Sequence, residues 1–134
     1  MKLLLKILCI LVVVFCFYFP LKYFNSLDDK KEIKISHILV DSEDRIKEIR
    51  QDILDKKIFF GEAAQKYSNC ESAQKEGDIG YTMRGLLIKE FEDKAFGLPL
   101  YALSEPVKTD NGWHLIRVTD IKYFSDKENF AKTY

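Results

Sequence analysis

Ile33-Lys34-Ile35-Ser36-His37-Ile38-Leu39-Val40 is the stretch on which the fold turns. Ile33, Ile35, His37 and Leu39 fall on one side of an alternation, and Lys34, Ser36, Ile38 and Val40 on the other. A period of two is the signature of a β-strand. Asp41-Ser42 then breaks the pattern and can cap a helix. Ile46, Ile49, Ile53 and Ile58 follow at spacings of three to five with charges between them, which predicts an amphipathic helix. Phe60, Ala63, Ala64 and Tyr67 form a second, shorter helical stripe. Ser68 to Gly80 is rich in Ser, Asn, Asp, Glu and Gly and reads as loop or turn. Phe91, Ala95, Phe96 and Leu98 mark a third helix, stopped by Pro99. Val107 begins a short strand, Asp110-Asn111-Gly112 is a hairpin turn, and Trp113 to Tyr123 is a long alternating strand. The order is that of an α+β domain on a small antiparallel sheet.

Composition narrows the rest. The 134 residues carry 21 basic and 21 acidic side chains, and 47% of them are hydrophobic. That length allows one ordinary domain, and that apolar content is too high for a disordered chain. Only Lys2, Lys6 and Lys22 are charged before Asp28, so the remainder is slightly acidic. A nucleic-acid partner is not expected, because no basic excess is present to neutralise phosphates.

Residues 1–24 have a different character. Ile7 to Phe19 holds no charge, and Lys6 and Lys22 bracket the run. A helix from Ile7 to Leu21 would be about 22 Å long, short for a bilayer core of about 30 Å unless the lysines snorkel. Lys2 and Lys6 before an apolar stretch also suit a secretory signal, but Phe19 to Phe24 offers no small residues for cleavage. The expectation is one N-terminal hydrophobic helix acting as an uncleaved signal anchor, followed by a linker at 25–32, the domain at 33–124 and a tail at 125–134. Lysines on both sides of the run leave orientation open, with an exported, extracytoplasmic domain the favoured reading. Two of the three cysteines lie in the apolar run, so Cys70 has no partner for an internal disulfide in the domain. The domain rests on its own core, and about 92 residues suffice for one.

Chemistry has few candidates. The chain contains two histidines, His37 and His114, and the lone domain thiol of Cys70. Zinc favours four ligands, and no Cys-x-x-Cys spacing accompanies them. A Cys–His nucleophile pair is a second option, and two structural strand histidines a third. Spacing does not choose among these.

Five blocks, in order, do point to a family. Ser36-His37-Ile38-Leu39-Val40 resembles the opening strand of the parvulin-type peptidyl-prolyl isomerases. Tyr67-Ser68-Asn69-Cys70-Glu71-Ser72-Ala73 and Gly77-Asp78-Ile79-Gly80 resemble that family's cysteine loop and Gly-Asp-Leu-Gly strand. Arg84-Gly85, Phe91-Glu92-Asp93-Lys94-Ala95-Phe96, and the run from Ser104 to Thr109 followed by Gly112-Trp113-His114-Leu115-Ile116 continue the match. The resemblance implies a four-stranded antiparallel sheet surrounded by about four helices, and rotation about X–Pro bonds as the activity. It implies that His37 and His114 meet beneath the site, that Cys70 faces the substrate carbonyl, and that Ile79, Leu87 and Phe91 line a proline pocket. The resemblance implies proline-containing polypeptides as partners; membrane attachment is expected from the N-terminal apolar run, and a monomeric state with no cofactor or metal is expected as well. Families reading phospho-Ser/Thr-Pro carry basic residues after the first strand; here Asp41-Ser42-Glu43-Asp44 stands with only Arg45 nearby, so phosphate specificity is not expected.

The chain departs from the pattern at four places. Thr82 stands for an aromatic, Leu87 for Met, Tyr101 for a turn Gly, and Asn111 for Ser or Phe. Leu87 keeps the pocket apolar. Thr82 removes ring surface, and so leaves room for a rival reading: a parvulin-like chaperone or binding module with little isomerase activity. A Cys–His hydrolase is the other rival, and no oxyanion-hole motif accompanies it.

Overall fold

The structure, a computed structural model, describes residues 31–124. The expected N-terminal helix and the 125–134 tail lie outside the described residues. Strand β1 spans Lys31–Val40, taking in Lys31 and Glu32 ahead of the alternating stretch. Helix α1 (Glu43–Leu54) and helix α2 (Phe60–Tyr67) follow, then a 3₁₀ helix over Glu71–Lys75 and strand β2 (Asp78–Thr82). Helix α3 (Lys89–Phe96) precedes the hairpin of β3 (Val107–Thr109) and β4 (Gly112–Tyr123). The described residues thus hold three α-helices and one 3₁₀ helix. The composition-based reading of Ser68 to Gly80 as loop is corrected: it contains the 3₁₀ helix and the start of β2, the strand that the resemblance at Gly77 to Gly80 implies. Ile58 lies beyond the end of α1 and packs onto the same core from the connecting turn.

The four strands form one antiparallel sheet in the order β2-β1-β4-β3. Alternation along β1 and β4 divides the core in two. Ile38, Val40 and Leu115 face α1 and α2, where they meet Ile46, Ile49, Phe60, Ala63 and Ala64. Ile33, Ile35, Ile116 and Val118 face α3, against Phe91, Ala95 and Phe96. Each fully buried Ile or Leu contributes about 1.5–3 kcal/mol relative to exposure, so the two layers together carry the domain without a staple.

Local chemistry sets the helix limits. Ser42 caps α1, its Oγ accepting from the Arg45 N–H at 3.4 Å, and Glu43 and Asp44 suit the positive end of the helix dipole. Glu62 reaches back to accept from the Phe59 N–H at 3.1 Å at the start of α2. Gly97 ends α3, with Pro99 two residues on. Tyr101 has φ of +63°, in the left-handed region that glycine favours, and its N–H donates to the Val118 carbonyl.

Candidate active site

His37 near the end of β1 and His114 near the start of β4 point to the α3 side of the sheet from adjacent antiparallel strands. Their Nδ1 atoms lie 3.3 Å apart, one ring donating to the other, with ring centroids 5.5 Å apart and planes within 14°. Phe91 of α3 stands edge-on to both, at 5.5 Å from His37 and 5.2 Å from His114. Such edge-to-face contacts favour aromatic rings over a flat sandwich. Thr109 completes the chain: its hydroxyl is hydrogen-bonded to His114 Nε2 at 2.8 Å, and its Oγ1 also accepts from the Asn111 N–H at 3.2 Å.

The pair is built to stay neutral. Burial, then the neighbouring His114, pushes the His37 pKa down to about 4; burial, then Lys108, also lowers His114. An imidazolium at His37 would carry an N–H at Nε2, which is buried with no hydrogen-bond partner. Both folded-state values lie below the ordinary value of about 6.5. The unfolded chain therefore takes up protons first as pH falls, and stability present above about pH 6.5 is lost as pH falls toward 4. For His37 alone the loss approaches about 3 kcal/mol. Thermal midpoints measured across this range are expected to be level above pH 6.5 and to fall below it. A His37→Leu variant is expected to show a shallower decline, and an unchanged slope would contradict the assignment.

Cys70 is brought to the same place by its loop. Ser68 Oγ accepts from the N–H of Leu39 at 3.1 Å and from that of Cys70 at 3.3 Å, and the Asn69 N–H donates to the Leu39 carbonyl at 2.8 Å. These bonds pin the cysteine loop to the end of β1. Gly77 does the same one turn later, accepting from the His37 N–H at 2.9 Å. The thiol is half-buried and hydrogen-bonds neither imidazole, whereas a Cys–His nucleophile pair needs that bond. The arrangement is not that of a Cys–His hydrolase.

Ile79, Leu87 and Phe91 join His37, Cys70 and His114 around one hollow of about 390 Å3, so all six residues singled out from the sequence converge. Tyr81, Thr82, Ile88 and Asn111 also line it. The hollow shares Cys70 and Ile79 with a broader polar trough of about 850 Å3 along the 3₁₀ helix. Exposed Tyr81, Met83, Leu86 and Ile88 give the β2–α3 stretch an apolar surface. Arg45 takes no part: it pairs with Glu48 at 2.9 Å and its guanidinium lies over the Tyr67 ring at 4.4 Å. Among the described residues no group of three or more His, Cys, Asp or Glu is placed to hold a metal ion.

Two residues that sequence reasoning left without a role support this geometry. Thr109 pairs with Gly112 across the hairpin and stands diagonal to His114, a relation readable once Asp110-Asn111 is taken as the two-residue turn. Glu92 is buried on α3, and its Oε2 accepts from the N–H groups of Gly85 at 2.7 Å and Leu87 at 3.3 Å. It thereby holds the loop that carries Leu87. Charge-assisted bonds of this kind contribute about 1.5–3 kcal/mol each. Glu92→Ala is expected to raise KM for a prolyl peptide roughly tenfold while sparing kcat. A variant whose kcat falls with KM unchanged would count against that positioning role.

A four-stranded antiparallel sheet with a histidine pair beneath an apolar hollow defines a parvulin-like domain. The rotamase family model, the PPIC-type PPIase domain, matches residues 27–120, and the chain belongs to that family. The foldase protein PrsA 1 of Bacillus cereus is 45% identical over 93 residues, covering 69% of this chain and 32% of that protein. The crystal structure of a peptidylprolyl isomerase (PrsA) from Bacillus anthracis overlays with a TM-score of 0.70 at 39% identity, covering 76% of this chain and 47% of that one. The solution structure of NmPin, the parvulin of Nitrosopumilus maritimus, gives 0.61 at 36% identity, covering 67% of this chain and 97% of that chain. The chain spans about a third of the length of the curated relatives it matches.

Proposed function

We propose that this chain is a peptidyl-prolyl cis/trans isomerase that acts without covalent chemistry on X–Pro bonds of unfolded, exported polypeptides, with no requirement for phosphate. The observation that carries the reading is the single hollow walled by Ile79, Leu87 and Phe91 over the His37–His114 pair. Amide rotation faces a barrier of about 18–20 kcal/mol because the planar form is resonance-stabilised. The twisted transition state loses that resonance, so catalysis requires only that the twisted form be bound more tightly than the planar one. In this reading the apolar walls grip the proline ring, and the remainder of the chain runs past Cys70 into the polar trough. Neutral imidazoles hold the floor, and Cys70 faces the carbonyl whose charge changes as the bond twists. The engaged Arg45 and the acidic run from Asp41 to Asp44 support a substrate without phosphate.

Exchange rates of Ala-Xaa-Pro peptides, followed by NMR, test the activity. Acceleration by the full chain is expected, and an unchanged rate together with suppressed client aggregation would favour the binding-module reading instead. That second reading draws on the exposed apolar side chains of Tyr81, Met83, Leu86 and Ile88, which suit unfolded clients with or without catalysis.

Residues 1–24 are proposed as an uncleaved membrane anchor, joined by a linker at 25–32 to the domain at 33–124, with 125–134 as a tail and the unit monomeric. PrsA-type foldases among the relatives support an extracytoplasmic site of action. Protease added to intact cells is expected to degrade the domain, and full protection would reverse the proposed topology.

A further inference from the structure

Ser36 and His37 are consecutive on β1 and so face opposite sides of the sheet. His37 lines the apolar hollow, while Ser36 opens onto a separate crevice of about 270 Å3 on the α2 side. Arg117 of β4 is the group in that crevice whose chemistry is unmet. Its guanidinium lies over the Phe60 ring at 5.1 Å, its Nε is buried without a hydrogen-bond partner, and it has no ion pair among the described residues. A guanidinium does not escape burial by losing its proton, although burial lowers its pKa.

The neighbouring charges leave Arg117 in excess. Lys34 is paired with Asp78 at 2.8 Å, which cancels both. Lys75 and Glu76, also on the wall, balance in count. The Phe60 ring lies 5.1 Å from the guanidinium, whose planar fork of N–H donors matches the two oxygens of a carboxylate or phosphate.

We propose that this crevice binds a small oxyanion, held by Arg117 with Lys75 and Ser36 at its sides. The proposal is independent of any role for the hollow on the other face. The shared chemistry is an anionic group with two acceptor oxygens, supplied either as free phosphate or as the carboxylate of an acidic side chain.

NMR of the full chain in neutral detergent, reading the Arg117 Nε–H and the Ser36 and Thr119 amides, tests it. Inorganic phosphate and N-acetylglutamate amide are titrated separately, each against sodium chloride of matched ionic strength. A saturable shift absent from the chloride series is expected. Saturation by phosphate alone assigns a free oxyanion, and saturation by the glutamate derivative assigns a polypeptide carboxylate. Arg117→Gln is expected to weaken binding at least about tenfold. Lys75→Gln, an exposed substitution that leaves the core untouched, is expected to weaken it severalfold, and Glu76→Gln to tighten it. Shifts that chloride reproduces, or that persist at full strength in both the Arg117→Gln and Lys75→Gln variants, overturn the site.

Discussion

Gly77→Ala is expected to lower the stability of the domain by about 3 kcal/mol or more, a fall in thermal midpoint of roughly 15 °C for a domain of this size. Gly77 has φ of +82°, and a Cβ built there would stand well inside van der Waals contact of the His37 carbonyl oxygen and 3.2 Å from the Ala64 side chain. Two costs are therefore superposed: the left-handed backbone, about 1–2 kcal/mol for a residue with a side chain, and the steric clash. Gly80 separates them. Its φ is +81°, yet a Cβ there meets nothing within 4 Å. Gly80→Ala is expected to pay only the backbone part, about 1–2 kcal/mol. Chemical denaturation of both variants checks the comparison, and equal losses would show that the contact with His37 contributes nothing. Because the His37 N–H donates to the Gly77 carbonyl, relief of the clash also displaces the imidazole. Isomerase activity is accordingly expected to fall further in Gly77→Ala than in Gly80→Ala.

Different parts of the molecule were legible to different degrees, for physical reasons. β1 from Ile33 onward and the first half of β4 are largely buried, and their apolar side chains announce themselves. β2 does not: Ile79 and Tyr81 are exposed, its remaining residues are Asp, Gly and Thr, and its strand geometry comes from pairing with β1. The 3₁₀ helix at Glu71–Lys75 has no buried residue, so no apolar stripe marks it. Positions of His37, Cys70, His114, Ile79, Leu87 and Phe91 were nameable through motif order, which fixes chain position without fixing distance. Glu92 and Thr109 escaped because their bonds run to backbone groups of a loop and across a hairpin, relations that a linear pattern does not contain.

Phe91→Leu is expected to reduce kcat/KM for a prolyl peptide by roughly 10- to 100-fold. The ring is 5% exposed, belongs to the core beneath α3, walls the hollow, and stands edge-on to both imidazoles. Leucine has three fewer side-chain carbons and no flat edge, and misfit of even one methylene in an apolar pocket is worth about 1–3 kcal/mol in the transition state. Alanine is the poorer probe: removing a buried phenylalanine costs about 3–5 kcal/mol of stability and confounds binding with unfolding. Phe96→Leu supplies the control. Phe96 is 3% exposed and packs in the same core layer, but does not line the hollow. Both leucine variants are expected to lose comparable stability, while only Phe91→Leu loses turnover. If the two lose stability alike and both retain full kcat/KM, Phe91 is core and nothing more, and the proline-binding wall must be sought elsewhere. If activity falls in Phe91→Leu alone, the loss arises at the hollow, because the two substitutions remove the same atoms from the same layer.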